Sequence, residues 1–205
     1  MAIDGLQSRI LDALRSRGGF GVLDEGAGKK GLLRRSLLWH RAPDTPRLDR
    51  IVFPADCAIA VVPSWSWMAY AGAIDYFSPD FGQVAWEDLQ SPWSGSGEPG
   101  LIRTLQSDAR GGGIALVGWA REYDPMKAGP DEAKLVLDAP GLSGQRRTRC
   151  VVLGRLKGSV QTSYVMLVQE TAARDRDGSK IYERVGAGFL SPSCIGERRE
   201  RITIC

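Results

Sequence analysis

The sequence predicts a mainly β fold of the α+β kind: an antiparallel meander, partly closed as a barrel or sandwich, with an N-terminal amphipathic helix packed on it. Three observations predict it. From Gly113 onward, five β-prone apolar runs of six to ten residues follow one another. Their connections are short and carry no helical pattern, which makes neighbouring strands antiparallel. Glycine supplies 25 of 205 residues, well above its usual share of roughly 7%, as a turn-rich fold requires.

Taken in order, Asp4 to Arg17 reads as the helix. Asp4 and Gln7 have capping-box spacing, and Ile3, Leu6, Ile10, Ala13 and Leu14 form an apolar stripe at helical period. Gly18-Gly19 is its expected stop. The glycine-rich stretch Gly26 to Gly31 lacks the G-x-x-x-x-G-K-[ST] pattern of a phosphate loop and reads as surface. Gly31 to Arg41 is apolar and fits a short helix or a strand equally. Ala42 to Leu48, with Pro43 and Pro46, is a loop, and Arg50 to Phe53 a short extended piece stopped by Pro54. Val61 to Tyr76 is the aromatic centre of the chain. Ser64 and Ser66 alternate with Trp65 and Trp67, the pattern of a strand with one aromatic face, and Gly72 permits a tight turn before Ile74-Asp75-Tyr76. Ser78 to Pro99 reads as a loop that Trp86 and Trp93 pin to the body. The five β runs are Ile114–Tyr123, Ala133–Asp138, Arg149–Leu156, Ser163–Glu170 and Ile181–Leu190. Asp177-Gly178 marks a hairpin between the last two. Glu197 to Arg201 is a final strand edge or a loose tail.

No break in composition divides the chain, so 1–205 reads as a single domain: helix and loops over 1–60, the aromatic segment and loop over 61–112, the meander over 113–205. The net charge of +3 and the scattered, acid-mixed basic runs point away from nucleic acid. Cys57, Cys150, Cys194 and Cys205 form no CxxC pair and His40 is the only histidine, so no zinc spacing is present and no metal or cofactor is expected. No apolar run approaches the roughly 18 residues of a membrane helix, and no secretory leader pattern is seen, so a cytoplasmic protein with reduced thiols is expected.

The segments Gly31-Leu32-Leu33-Arg34-Arg35-Ser36-Leu37-Leu38-Trp39 and Pro63-Ser64-Trp65-Ser66-Trp67-Met68-Ala69-Tyr70, followed by Ile74-Asp75-Tyr76, resemble fungal heterokaryon-incompatibility (HET) domain proteins, in which a PSWSW-type motif lies downstream of the HET domain proper. Ile3-Asp4-Gly5-Leu6, Gly18-Gly19-Phe20-Gly21, Cys150-Val151-Val152-Leu153-Gly154 and Tyr182-Glu183-Arg184-Val185-Gly186 resemble the same C-terminal region. The N-terminal HET part and its signature motifs have no counterpart here. The resemblance therefore implies an accessory module, and it transfers no catalytic residue.

Two readings of function follow. As a recognition module, the chain binds a partner protein or a small apolar ligand. As a cofactor-independent isomerase or cyclase, it acts on an apolar secondary metabolite. In the second reading Asp75 or His40 moves a proton and a tyrosine, Tyr76, donates a hydrogen bond, while Trp39, Trp65, Trp67, Tyr70 and Trp119 line the pocket. Each has a plainer role: His40 as a structural residue without an orienting partner, Asp75 as a turn residue after Gly72, and the aromatics as core anchors. An apolar cavity walled by Asp75 or His40 distinguishes the enzyme; a filled core with these residues outside it distinguishes the recognition module.

Overall fold

In the computed structural model, residues 9–14, 16–26, 31–52, 62–93, 104–105, 113–129, 131–140, 147–158, 162–175 and 178–205 are described. The first half of the chain contributes short strands: β1 (Arg17–Gly19), β2 (Val22–Asp24), β3 (Trp39–Arg41), β4 (Asp49–Arg50), β5 (Tyr70–Ala71), β6 (Ile74–Tyr76), β7 (Val84–Trp86) and β8 (Thr104–Leu105). The second half contributes β9 (Gly113–Ile114), β10 (Leu116–Tyr123), β11 (Ala133–Leu137), β12 (Thr148–Leu156), β13 (Ser163–Arg174), β14 (Lys180–Leu190) and β15 (Ile195–Ile204).

Strands β7 and β10 to β15 form one seven-stranded sheet in the order β10-β15-β14-β13-β12-β7, with β11 on the second edge of β14. β12, β13 and β14 are the expected antiparallel meander. The remainder departs from it. β11 pairs not with β10 or β12 but with β14, Ala133 opposite Leu190. β15 is a full strand, antiparallel to β10 and touching β14 in parallel through Ile181–Thr203 and Tyr182–Ile204. β10 also reaches β12 at Ala120–Val151 and Arg121–Cys150. The sheet is therefore rolled until β10 meets β12, with ladders of only two residues at β10–β12 and β14–β15. It is not a regular barrel.

This rolling explains why β12 and β13 lack hydrophobic alternation. Val151, Leu153, Met166 and Val168 point into one cluster with Leu116, Ile202 and Ile204, while Cys150, Val152, Val165 and Leu167 belong to a second cluster with Val185 and Leu190. Strands buried on both faces read as continuous apolar runs. Gly186 and Gly188 allow β11 to approach: a Cβ at Gly188 would stand 2.1 Å from the Lys134 carbonyl oxygen. At the β13–β14 hairpin Gly178 has φ +81° and donates to the Asp175 carbonyl at 2.9 Å, as the glycine of the turn signal should. Asp177 lies outside the described residues.

Four expectations for the first half need correction. Residues 9–14 are helical, but Ile10 and Leu14 are 38% and 53% exposed, so this part of the stripe does not pack into the core; Ile3, Asp4, Leu6 and Gln7 lie outside the described residues. Gly18-Gly19 belongs to β1, and Phe20-Gly21, at φ +55° and +74°, makes a two-residue turn into β2 of the kind that matches strand twist. The PSWSW stretch is no strand. Ser64 to Ser66 form a turn and Trp67–Ala69 a 3₁₀ turn, with Ser66 Oγ accepting from Met68 N–H. Within Ser78–Pro99, Val84–Trp86 is a strand paired with β12; Trp86 and Trp93 do pack against the core. The ambiguous segment after Gly31 is both forms in turn: a helix over Leu32–Ser36, then β3. The Glu25 carboxylate accepts from Leu32 and Leu33 N–H at the helix start, at 2.7 and 3.1 Å, satisfying two donors that the helix itself cannot.

Candidate functional site: an aromatic clamp around Arg184

Arg184 stands in the middle of β14, where both faces of the sheet are covered, and its side chain is fully buried. Each polar edge of the guanidinium is matched. Nε donates to Asp138 Oδ2 at 3.2 Å and Nη2 lies 3.4 Å from Oδ1. Nη1 donates to the Leu37 carbonyl at 2.9 Å, and Nη2 also donates to that of Trp39. The guanidinium carbon sits 3.4 Å from the centre of the Trp39 ring, a close cation–π contact.

The tryptophan stretch closes round this centre. Ser64 Oγ accepts from Arg184 N–H at 2.9 Å and donates to the Cys205 carbonyl. Trp39 Nε1 donates to the Trp65 carbonyl at 2.9 Å. Trp65 is fully buried, edge-on to Phe20 and Trp93. Ser66 Oγ and Trp67 Nε1 donate to the carbonyls of Phe20 and Gly21. Tyr70 lies against Trp39 with ring centres 5.4 Å apart, and the Arg50 guanidinium carbon stands over its ring, 5.3 Å from the centre. Burial, then the nearby Asp138 charge, pushes the Tyr70 hydroxyl above its usual range, so it stays protonated at neutral pH.

Asp138 follows β11. Its N–H donates to Val185 and its carbonyl accepts from Leu48 N–H, at 2.9 and 2.8 Å. Burial pushes its carboxyl above the usual range, more strongly than Arg184 pulls it down. Desolvation thus outweighs the Coulombic attraction, the common outcome for a buried pair.

Of the residues expected to line a pocket, Trp39, Trp65, Trp67 and Tyr70 are brought together, as packing: Trp39 and Trp65 have no exposed surface. Trp119 is elsewhere, on β10, 39% exposed and covered by Arg199 with its guanidinium carbon 4.7 Å from the ring centre. The β3–β6 register sets His40 opposite Asp75, yet no hydrogen bond joins them. His40 is buried, its ring 4.2 Å from that of Phe77, with Nδ1 2.9 Å from the Arg41 carbonyl. Asp75 is exposed and its Oδ1 accepts from Tyr76 N–H at 2.7 Å, the turn-like role. Tyr76 is 38% exposed.

Concavities among the described residues accompany this arrangement. One, of about 220 Å³, lies beside the clamp; Pro63, Ile114, Ala173 and Ile181 form its apolar wall, and Arg50, Glu183, Tyr182 and Cys205 border it as well. Another, an open groove of about 350 Å³, runs along Leu89, Gln90, Val117, Trp119 and Arg201. Neither contains His40, Asp75 or Tyr76.

Sequence reasoning missed Arg184, Asp138 and Ser64 as the centre of the site. The signal was present in Arg184 itself: a charge inside the apolar run Ile181–Leu190 needs a buried partner, and Asp138, at the end of another apolar run, is the type required. Among the described residues no helix is long and apolar enough to cross a membrane. Comparison of the chain with protein-family models, with curated proteins and with solved structures finds no match in any of the three.

Proposed function

We propose that this chain is a recognition module that binds a partner protein, and that its aromatic stretch is a structural clamp instead of a reaction chamber. The observation that carries this reading is the filled interior: Trp39 and Trp65 are packed without exposed surface around Arg184, while Asp75 and Tyr76 lie outside the core. An isomerase or cyclase needs a substrate cavity bordered by a proton-transfer group. The 220 Å³ concavity is smaller than the roughly 300–1,000 Å³ of typical ligand pockets, and although Glu183 lies in its wall, none of the residues assigned to proton transfer, His40, Asp75 and Tyr76, borders it. A small apolar ligand is accordingly the weaker form of the recognition reading.

The relationship to the C-terminal region of HET proteins belongs to the same proposal. Its support is spatial: Leu37 to Trp39, Pro63 to Trp65 and Tyr182 to Gly186, which carry the resemblance, meet at Arg184. A cytoplasmic location and a role in a fungal cell are likewise proposed.

The test is affinity purification from a fungal host after crosslinking in the cell, with mass spectrometry of the proteins retained and organic extraction of small molecules. The expected result is a stoichiometric protein companion retained by Asp75→Asn and Tyr76→Phe. A companion-free protein carrying an apolar metabolite, lost in Asp75→Asn, would overturn the reading in favour of the enzyme.

A further inference from the structure

Trp119 lies outside the clamp. It is the one fully described tryptophan with more than a third of its surface exposed, and it stands on β10 beside the row that β15 presents. The antiparallel register puts Trp119 opposite Arg201 and Arg121 opposite Arg199. Alternation along both strands places these four side chains on one face, away from Gly118, Ala120 and Ile202. Arg199 covers the Trp119 ring. Arg121 Nη1 donates to the carbonyls of Gly196 and Glu197, and Arg201 Nη2 to Gln90 Oε1. All of these partners are neutral groups. The neighbouring ion pairs close on themselves: Glu122 with Arg147, and Glu200 with Arg149. Asp88 lines the adjacent groove and Glu197 ends the row, so two carboxylates border three guanidinium groups.

The groove supplies the rest. It is floored by Leu89, Val117 and Gly118 and flanked by Trp119 and Arg201. Tryptophan and arginine are the residue types that dominate binding energy at interfaces, and an exposed ring on a paired strand presents its area at little entropic cost. Both edges of β10 are engaged, by β15 on one side and by β12 and Gln90 on the other, so an incoming chain lies across the face and adds no strand.

We propose that the outer face of β10 and β15 around Trp119, Arg121, Arg199 and Arg201 binds an acidic peptide segment of a partner protein, an apolar side chain entering the groove beside Trp119. Same-side residues of an extended peptide recur about every 6.6–6.8 Å, the same repeat as Arg199 and Arg201 along β15, so carboxylates two residues apart meet successive arginines. Nucleic acid is disfavoured: the cations span two rungs of one ladder, whereas phosphate binding draws on a longer track. The inference rests on the recognition reading and gives it a partner chemistry.

The test is selection of a random 12-residue peptide library against the full chain, followed by fluorescence anisotropy on recovered peptides and on an oligothymidine of the same length. Expected are peptides enriched in Asp and Glu around an apolar residue, bound about 30-fold more weakly by Trp119→Ala, the effect of a hot-spot truncation, and by Arg199→Glu. Changing acidic residues of such a peptide to Lys should restore binding to the Arg199→Glu, Arg201→Glu double variant. Trp119→Ala should melt within a degree or two of the parent, as a surface substitution does. Tight peptides without acidic enrichment, or indifferent to Trp119 and Arg199, would overturn this inference and leave the recognition reading in place. An oligothymidine bound more tightly than the peptides through the same residues would replace it with a nucleic-acid site. An empty selection would also overturn it, the recognition reading then standing or falling on the crosslinked companion.

Discussion

Replacing Asp138 by Leu should be among the most damaging single changes in this protein. Asp138 and Arg184 are both almost wholly buried, at 4% and 0% side-chain exposure. The substitution keeps comparable volume but leaves the guanidinium in the core with only the Leu37 and Trp39 carbonyls and the Trp39 ring as partners. Removing one member of a buried pair costs about 3–5 kcal/mol, because the uncompensated charge remains. In a chain of this size each kcal/mol moves the melting temperature by about 2–4 °C, so a fall of roughly 6–20 °C is expected by calorimetry. Arg184→Met should cost a similar amount. The Asp138→Leu, Arg184→Met double variant should recover part of the loss, with a coupling of roughly 0.5–3 kcal/mol in urea-derived stabilities. It should not recover everything, since two carbonyls lose their donor. A single-variant cost below about 1 kcal/mol, or strict additivity in the double variant, would refute the pair as the centre of the clamp.

The other expectations are simpler. Because burial raises the Asp138 carboxyl above its ordinary value, the folded state keeps this proton longer than the unfolded state; the group's contribution is greatest below about pH 4 and declines as pH rises through the folded value. The stability gap between parent and Asp138→Asn, followed by urea melts from pH 3.5 to 7, should narrow with rising pH; widening would contradict the sign. Ser64→Ala removes the acceptor of a buried Arg184 N–H and should cost about 1–3 kcal/mol, read as a shift in urea midpoint. Gly188→Ala should cost at least as much, since its Cβ would meet backbone of β11 only 2.1 Å away; faster amide exchange across Ala133–Leu137 would locate the damage. Burial pushes the Cys150 thiol up to about 12, leaving roughly one part in ten thousand as thiolate at pH 8. Mass-spectrometric mapping with a thiol reagent should find Cys150 unmodified until urea unfolds the chain.

How much of this was legible in the sequence depended on the range of the interactions. All five β runs of the second half were visible, with boundaries within a few residues, because their apolar composition and turn residues are local signals. Their pairing was not: nothing near Ala133–Leu137 says that β14 is its partner, and the enabling residues, Gly186 and Gly188, lie some 50 positions away. The serine–tryptophan alternation misled because alternation of polar and aromatic residues also fits successive turns whose hydroxyls serve the backbone: Ser64 and Ser66 bind Arg184, Cys205, Phe20 and Met68. The helical stripe was readable as periodicity, but periodicity does not reveal whether a surface awaits it. His40 and Asp75 attracted interest as isolated titratable groups; the structure gives the buried charge to Arg184, whose importance comes from partners 46 to 147 positions away.

That separation explains why a charge is used where an apolar side chain would pack. Among the described residues of 31–77 the elements are two to five residues long, the helix Leu32–Ser36 and strands β3 to β6, too short to bury a core of their own. They must dock on the rolled sheet, and apolar contact alone fixes neither direction nor register. Arg184 does so with donors of fixed geometry: one guanidinium addresses Leu37, Trp39 and Asp138, and its own N–H addresses Ser64. A shift of the Leu37–Trp39 segment by one residue would displace three fully buried side chains and leave these donors buried without acceptors, at a cost of about 1–3 kcal/mol each. The expected signature of the double variant is therefore a loss of uniqueness alongside any loss of stability: more heterogeneous amide signals at Leu37 to Arg41 and Ser64 to Tyr70 than at β12 or β13. Uniform sharp signals in both regions would show that packing alone sets the docking.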